Sequence, residues 1–269
     1  MISKNFSVYK LASEILSWES ETDWHDAKDS PGMVADAISD HPAVTKAANG
    51  YFVGSTAEGL AGYLAFDGDV TDETPLANDG TDNTSAGYVT GQVGSDAKDF
   101  DGTDDTVEID WAVPYTTDPP WTVACWFNAD AIADNELVWD YGTTRAYVGY
   151  QRNGTNGYEF AIYNGSSHSV VTSGNTTTGA WLHAVAVYTG SEMEFFIGGT
   201  SQGTAAESTQ DTADQTAAIG AVGSSGNRNN FFNGAVDDFR VYGRALSKPE
   251  IDALYARTTT QPVNEADTL

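Results

Sequence analysis

The chain has 269 residues, room for one large β domain, or for a domain of about 200 residues with an appendage. Its 40% apolar and 12% aromatic content excludes a disordered chain, and the single Cys125 excludes both an intrachain disulfide framework and a thiolate zinc site. Thirty-nine acidic residues against 12 basic ones leave a formal charge of −27, a field that repels phosphate backbones and excludes a nucleic-acid partner. Asp outnumbers Glu by 26 to 13 and there are six Lys. In molar salt, where the Debye length falls to about 3 Å, such a surface stays hydrated at little cost in self-repulsion, so the composition reads as halophilic. No apolar run approaches the roughly 18 residues that a membrane-spanning helix needs. Met1 to Lys10 lacks the continuous apolar stretch of a secretory leader, so the expectation is a trimmed chain or one that avoids the general export route.

Composition changes near residue 58, since 24 of the 27 glycines lie beyond it. Before that point the pattern is helical. Val8, Leu11, Ile15 and Trp18 recur at three- and four-residue steps and predict a helix over 6–19 with one apolar stripe. Ser30-Pro31 opens a second helix leading to Met33, Val34, Ala37 and Ile38, which His41-Pro42 interrupts. A third short helical turn is expected over Ala43 to Ala48, ending at Asn49-Gly50. Helices this short need a surface to bury against, supplied by the main domain or by another copy.

From Leu60 onward the period becomes two. Strands are predicted at Gly62–Phe66, Thr106–Ile109, Thr122–Phe127, Glu136–Asp140, Tyr147–Gln151 and Tyr158–Tyr163. More follow at Ser169–Thr172, Trp181–Tyr188, Met193–Ile197, Ala217–Gly220 and Val236–Tyr242. Turn pairs such as Asp101-Gly102, Asn164-Gly165, Thr189-Gly190 and Gly198-Gly199 separate them. With no crossover helices between them, these strands predict a two-sheet antiparallel sandwich. Ser247-Lys248-Pro249-Glu250 opens a last helix carrying Ile251, Leu254 and Tyr255, before a loose tail.

Several segments have a familiar order and spacing: Tyr63-Leu-Ala-Phe-Asp-Gly-Asp69, Phe100-Asp-Gly-Thr-Asp-Asp105, Trp121-Thr-Val-Ala-Cys-Trp-Phe127, Trp181-Leu-His-Ala-Val-Ala-Val187 and Phe232-Asn-Gly-Ala-Val-Asp-Asp-Phe-Arg-Val-Tyr-Gly-Arg-Ala-Leu-Ser247. Together they resemble a laminin-G-like domain of the concanavalin A-like lectin/glucanase, or jelly-roll, superfamily. The resemblance implies an all-β antiparallel sandwich over 58–257; it does not reach the helical amino-terminal anchor read over 1–57 or the tail over 258–269. Lectins, adhesion modules, glycosidases and lyases share this scaffold, so function rests on sites.

Glycosidases need two carboxylates flanking the scissile bond. The Glu-x-Asp-x-Glu strand pattern of retaining enzymes on this scaffold is absent. Glu192 and Glu194 lie beside a hairpin turn, and Glu108 and Asp110 run into a loop, so both pairs read as solvated strand edges. The four histidines pair with no partner at metal or triad spacing, and His183 reads as structural. Strict alternation puts Asp237 on the face of Phe239 and Val241, where a carboxylate needs a partner. That partner is calcium, backbone amides, or Arg240 or Arg244. The resemblance implies a structural Ca2+ held by Asp67, Asp69 and Asp237. Sugar sites stack a ring on an aromatic residue and hold hydroxyls with polar ones. The loop candidates are Tyr141 with Arg145, Tyr150 with Arg152 and Asn153, His168, and Arg228 with Phe231. Asn-x-Ser/Thr sequons at Asn5, Asn83, Asn153, Asn164 and Asn175 point to surface glycosylation.

Without catalytic constellations, the expected function is non-enzymatic display, with recognition of a host-surface glycan. Val8, Leu11, Ile15 and Trp18 would join other virion or surface-assembly proteins and further copies of the chain in a homo-oligomer. An extracellular role without an export leader points to a virion of a halophilic host, as a capsid turret, decoration protein or tail fibre. The alternatives are an adhesin of a halophilic cell surface and a hydrolase or lyase of the same fold.

Overall fold

The computed structural model describes residues 44–47, 50–53, 59–109, 120–133, 135–142, 146–150, 157–208, 217–224 and 227–257. The chain divides into two units, Met1–Glu58 with Asn264–Leu269, and Gly59–Val263. The helices expected over 6–19 and after Ser30, with Val8, Leu11, Ile15 and Trp18, lie outside the described residues. So does the tail beyond 257. In the first unit the short helix expected at Ala43 to Ala48 is not formed. Val44–Ala47 (β1) pairs antiparallel with Gly50–Val53 (β2), Ala47 standing opposite Gly50. Val44, Thr45, Tyr51, Phe52 and Val53 are β-branched or aromatic, and pairing across so short a connection overrides a weak helical stripe.

In the second unit the period-two segments form two antiparallel sheets. The first holds, in spatial order, β12 (His168–Thr172), β11 (Tyr158–Tyr163), β10 (Ala146–Tyr150), β9 (Leu137–Tyr141), β16 (Ala217–Ile219), β7 (Val107–Ile109) and β4 (Thr81–Asp82). The second runs β15 (Thr200–Ala206), β14 (Glu192–Ile197), β13 (Leu182–Tyr188), β8 (Trp121–Ala129), β19 (Asn233–Tyr242), β6 (Asp96–Asp101) and β5 (Tyr88–Thr90). An eighth strand, β3 (Leu60–Leu64), also pairs with β19. A two-stranded ribbon, β17 (Val222–Ser224) and β18 (Asn227–Asn229), pairs by itself and buries Val222 against Leu137, Tyr147 and Ala161 of the first sheet.

Facing residues of the two sheets make one core. Trp121 lies at its centre, 5.6 Å from the Tyr188 ring, 5.8 Å from Phe160 and 6.5 Å from Trp139. A second apolar cluster joins Ala124, Val185, Val187 and Tyr242, on the opposite face of the eight-stranded sheet, to Leu246, Ile251 and Leu254. The last two belong to helix α1 (Lys248–Tyr255), which starts where the sequence predicts. The Ser247 amide donates to Glu250 Oε2 at 2.7 Å and the Glu250 amide to the Ser247 carbonyl at 3.1 Å. His183 lies under this helix, 5.0 Å from the Trp126 ring and 5.9 Å from Tyr255. Burial pushes its pKa down to about 4, so a neutral, structural ring is what the fold holds there.

β19 changes neighbours halfway along one of its sides. Asn233–Val236 pairs with β6, whereas Phe239–Tyr242 pairs with β3, and the register against β8 shifts between Asp237 and Arg240. This bulge corrects the alternation reading of Asp237. Asp237 stands opposite Trp126, on the face turned toward α1 and away from Phe239 and Val241. Asp238 is the inserted residue, at φ +49, a left-handed conformation that Asp tolerates better than most side chains.

Candidate functional site

The outer face of the seven-stranded sheet departs from what a solvated sheet face shows. Val107, Ile109, Trp139, Tyr141, Ala146, Val148, Tyr150, Phe160 and Ile162 turn into the core, and the residues between them turn outward. Register aligns Thr81, Glu108, Ala218, Asp140, Tyr147, Ala161 and Val170 as one row across all seven strands. Glu159 lies on the same face, as do Tyr163 and His168, which stand opposite each other. Asp140, Tyr147 and Glu159 are each 0% exposed. Tyr147 donates its hydroxyl to Glu159 Oε1 at 2.9 Å, and Arg228 of β18 reaches Glu108 Oε1 at 3.4 Å. The His168 ring lies 5.1 Å from Tyr163 and 5.7 Å from Tyr147, and both His168 and Tyr163 are only half-buried. The face therefore offers an aromatic rim at the β11–β12 edge, while Asp140, Tyr147 and Glu159 beside it are closed to solvent. The outer face of the other sheet packs against α1.

Of the sequence candidates, the structure brings His168 and Arg228 to this face. His168 opens β12 rather than lying in a loop. Tyr141 and Tyr150, expected on loops, are strand residues inside the core, 4% and 7% exposed, and their rings are committed to packing. Phe231 is half-buried just before β19, and Arg145, Arg152 and Asn153 lie outside the described residues. Sequence reasoning missed Asp140, Tyr147, Glu159 and Tyr163. The signal was a lone carboxylate inside an apolar strand, Leu137-Val-Trp-Asp140-Tyr and Tyr158-Glu159-Phe-Ala-Ile-Tyr163. Among the carboxylate pairs weighed for catalysis, Glu192 is exposed, Glu194 accepts the Ser201 hydroxyl at 2.5 Å, and Asp110 lies outside the described residues.

A second site lies where β19 exchanges β6 for β3. The gap is closed by the turn from Gly91 to Asp96, which two carboxylates hold. Asp237 Oδ2 accepts the amides of Gln92 at 2.7 Å and Val93 at 2.8 Å. Asp67 Oδ1 accepts those of Ser95 at 2.6 Å and Asp96 at 2.9 Å. Gly94 lies at φ +66 directly against the Asp67 carboxylate, so a Cβ there would collide with it. Asp237 Oδ1 is buried without a hydrogen-bond partner, and burial pushes the Asp237 pKa up to about 8 despite the Val93 and Gln92 amides. An unsatisfied carboxylate oxygen, on a turn that a second carboxylate also holds, suits a hard cation. Asp67 and Asp69 are both exposed, and Asp69 fits less well because its Oδ1 caps its own turn through the Thr71 amide at 2.9 Å. Among the described residues Asp67, Asp69 and Asp237 do not gather as three ligands within 4.8 Å of one another. Neither arginine weighed as a partner for Asp237 takes it, since Arg240 binds Asp238 and Arg244 binds Glu250.

A family model of the concanavalin A-like lectin/glucanases superfamily, in its Laminin_G_3 form, matches residues 101–252, more than half of the chain. The chain belongs to this family. Among solved structures, this laminin-G-type chain is similar to domain 4 of AbnA, a GH43 extracellular arabinanase from Geobacillus stearothermophilus, in complex with arabinotriose. Identity is 18%, with 73% of this chain and 98% of that one covered, at a TM-score of 0.62. It is also similar to the binding domain of Paraclostridial Mosquitocidal Protein 1 (11% identity, 75% of this chain and 52% of that one, TM-score 0.60). The receptor binding domain of botulinum neurotoxin C/D mosaic serotype is similar too (11% identity, 74% and 51% covered, TM-score 0.54). The chain spans about half the length of these toxin domains. No curated protein sequence matches it. At these identities the likeness shows the sandwich alone, a fold shared with binding domains. No helix among the described residues is long and apolar enough to cross a membrane.

Proposed function

We propose that this laminin-G-type domain is a non-enzymatic binding module that takes a glycan on the outer face of its seven-stranded sheet. The observation that carries the reading is the half-buried Tyr163–His168 pair at the β11–β12 edge of that face. Its two rings, tilted by 48° to each other, offer aromatic surface on which a sugar ring can rest. The similar arabinanase domain was solved with arabinotriose, and it is matched over 98% of its length, which supports the same ligand class. A hydrolase would need two carboxylates open to substrate. Asp140 and Glu159 are sealed at 0% exposure, which favours holding over cleaving. Calorimetric titration with arabinotriose and with host-surface polysaccharides tests the reading. Tyr163→Ala or His168→Ala is expected to weaken binding about tenfold with the melting temperature unchanged, as loss of one stacking contact requires. Undiminished binding by both variants, or release of shortened sugars, would overturn it.

The setting we propose is the virion of a halophilic host, as a capsid turret, decoration protein or tail fibre, with a halophilic cell-surface adhesin as the second reading. The charge of −27 supports the halophilic part, because screening at molar salt relieves the self-repulsion of so acidic a surface. Unfolding in 3 M NaCl is expected at a markedly higher temperature than in 0.1 M NaCl; equal midpoints would remove the halophilic reading. Recovery of the chain with purified particles, rather than with cell envelopes, separates virion from adhesin. We further propose a structural Ca2+ held by Asp237 and Asp67.

A further inference from the structure

We infer that Asn83 and Asn175 are acceptor sites for asparagine-linked glycans, and that Asn164, although it carries the same sequon, is not. In this transfer a bond forms between the asparagine Nδ2 and the anomeric carbon of a sugar. The bond between that carbon and the phosphate oxygen of a lipid-diphosphate carrier breaks, the lipid diphosphate leaves, and the amide proton passes to base. The acceptor therefore needs an Nδ2 that is not already engaged, room for a bulky polar substituent, and a hydroxyl residue two positions on.

The three described sequons meet these conditions unequally. Asn83 follows the edge strand β4 and is exposed; its backbone amide donates to the Thr106 carbonyl at 2.9 Å, and its side chain makes no hydrogen bond to any described residue. Ser85, two residues on, is exposed as well, and its backbone is pinned by the Asp105 carboxylate at 2.5 Å while its hydroxyl stays unengaged. Asn175 lies between β12 and β13. Its backbone amide donates to Ser173 Oγ at 3.0 Å and its carbonyl accepts the Tyr158 amide at 3.0 Å, so the main chain is fixed. Its Oδ1 accepts the amide of the exposed Thr177 at 2.8 Å, and the Nδ2 of this half-buried side chain has no partner among the described residues. Asn164 also forms such a turn, its Oδ1 accepting the Ser166 and Ser167 amides. Its Nδ2, however, donates at 3.2 Å to Glu207 Oε2, which also accepts the Ser169 hydroxyl at 2.8 Å and is 7% exposed. Glu207 ties the β12 edge of one sheet to the chain leaving β15 of the other, so a sugar on Asn164 would be forced against a buried carboxylate at the seam.

The test is peptide mass spectrometry of the protein isolated from the source that makes it, joined to secretion of the full chain through the endoplasmic reticulum of a glycosylating eukaryotic cell. The expected result is sugar mass on the Asn83 and Asn175 peptides and none on Asn164. Asn83→Gln and Asn175→Gln should each remove one step of the mobility shift that peptide N-glycosidase reverses, with unchanged melting, and Asn164→Gln should remove none. An unmodified peptide at Asn83 or Asn175 in either preparation overturns that assignment, and sugar on Asn164 overturns the geometric argument.

Discussion

Arg240→Met is expected to destabilise the second unit by about 3–5 kcal/mol, the usual cost of stranding one member of a buried ion pair. In a domain of this size that is a fall of roughly 10 °C in melting temperature. Arg240 and Asp238 are 1% and 2% exposed and joined by two hydrogen bonds, of 3.0 and 3.1 Å. Tyr63 donates its hydroxyl to Asp238 at 2.9 Å while its ring lies 3.7 Å beneath the Arg240 guanidinium. Burial alone would raise the Asp238 pKa; Arg240, Arg257 and the Tyr63 hydroxyl overcome it and hold the carboxyl well below the usual range. Once Arg240 is gone, the nearest remaining cation is Arg257 at 3.7 Å. Adding Asp238→Asn to Arg240→Met should recover much of the loss, because no uncompensated charge then remains and Asn accepts the positive φ. Thermal melts of the parent, the two single variants and the double variant check this. A single variant melting within 2 °C of the parent would show that the pair contributes little.

Calcium is expected to raise the melting temperature of EDTA-stripped protein by roughly 5–10 °C. This corresponds to about 2.7 kcal/mol at a free concentration one hundred times the dissociation constant. The increment should vanish in Asp237→Asn and shrink in Asp67→Ala. It should survive in Asp69→Ala, whose carboxylate is occupied with its own turn. In EDTA, Asp237→Asn should melt no lower than the parent, since the amide oxygen still accepts the Gln92 and Val93 amides. Identical midpoints with calcium and with EDTA would show that the two carboxylates exist only to fasten the Gly91–Asp96 turn.

Most of the sandwich is legible in the sequence because its central strands bury both faces. Trp121–Ala129, Tyr158–Tyr163 and Leu182–Tyr188 follow the apolar runs closely. Two of the strands that escape notice are edges. Thr200–Ala206 and Tyr88–Thr90 have little apolar signal, and Asp96–Asp101 reads as a turn because three of its six residues are aspartates. Asp237 was misplaced because alternation counts residues, and a bulge adds one whose position depends on β6 ending and β3 beginning along the same strand. The candidate face was harder still. His168 and Arg228 could be named from residue type, but Asp140 and Glu159 are recognisable as one cluster only when register sets β9 beside β10 and β10 beside β11.

The place of β19 bears on how the protein is made. Among the described residues it is the last strand and yet an interior one, bounded by β8 on one side and by β6 and β3 on the other. A ribosome must therefore release nearly the whole sandwich before its larger sheet can close, and sheets assembled from such distant segments form slowly. A gene interrupted anywhere before Tyr242 would yield a nascent chain with its central slot open, a substrate for chaperones and proteases rather than a smaller working domain.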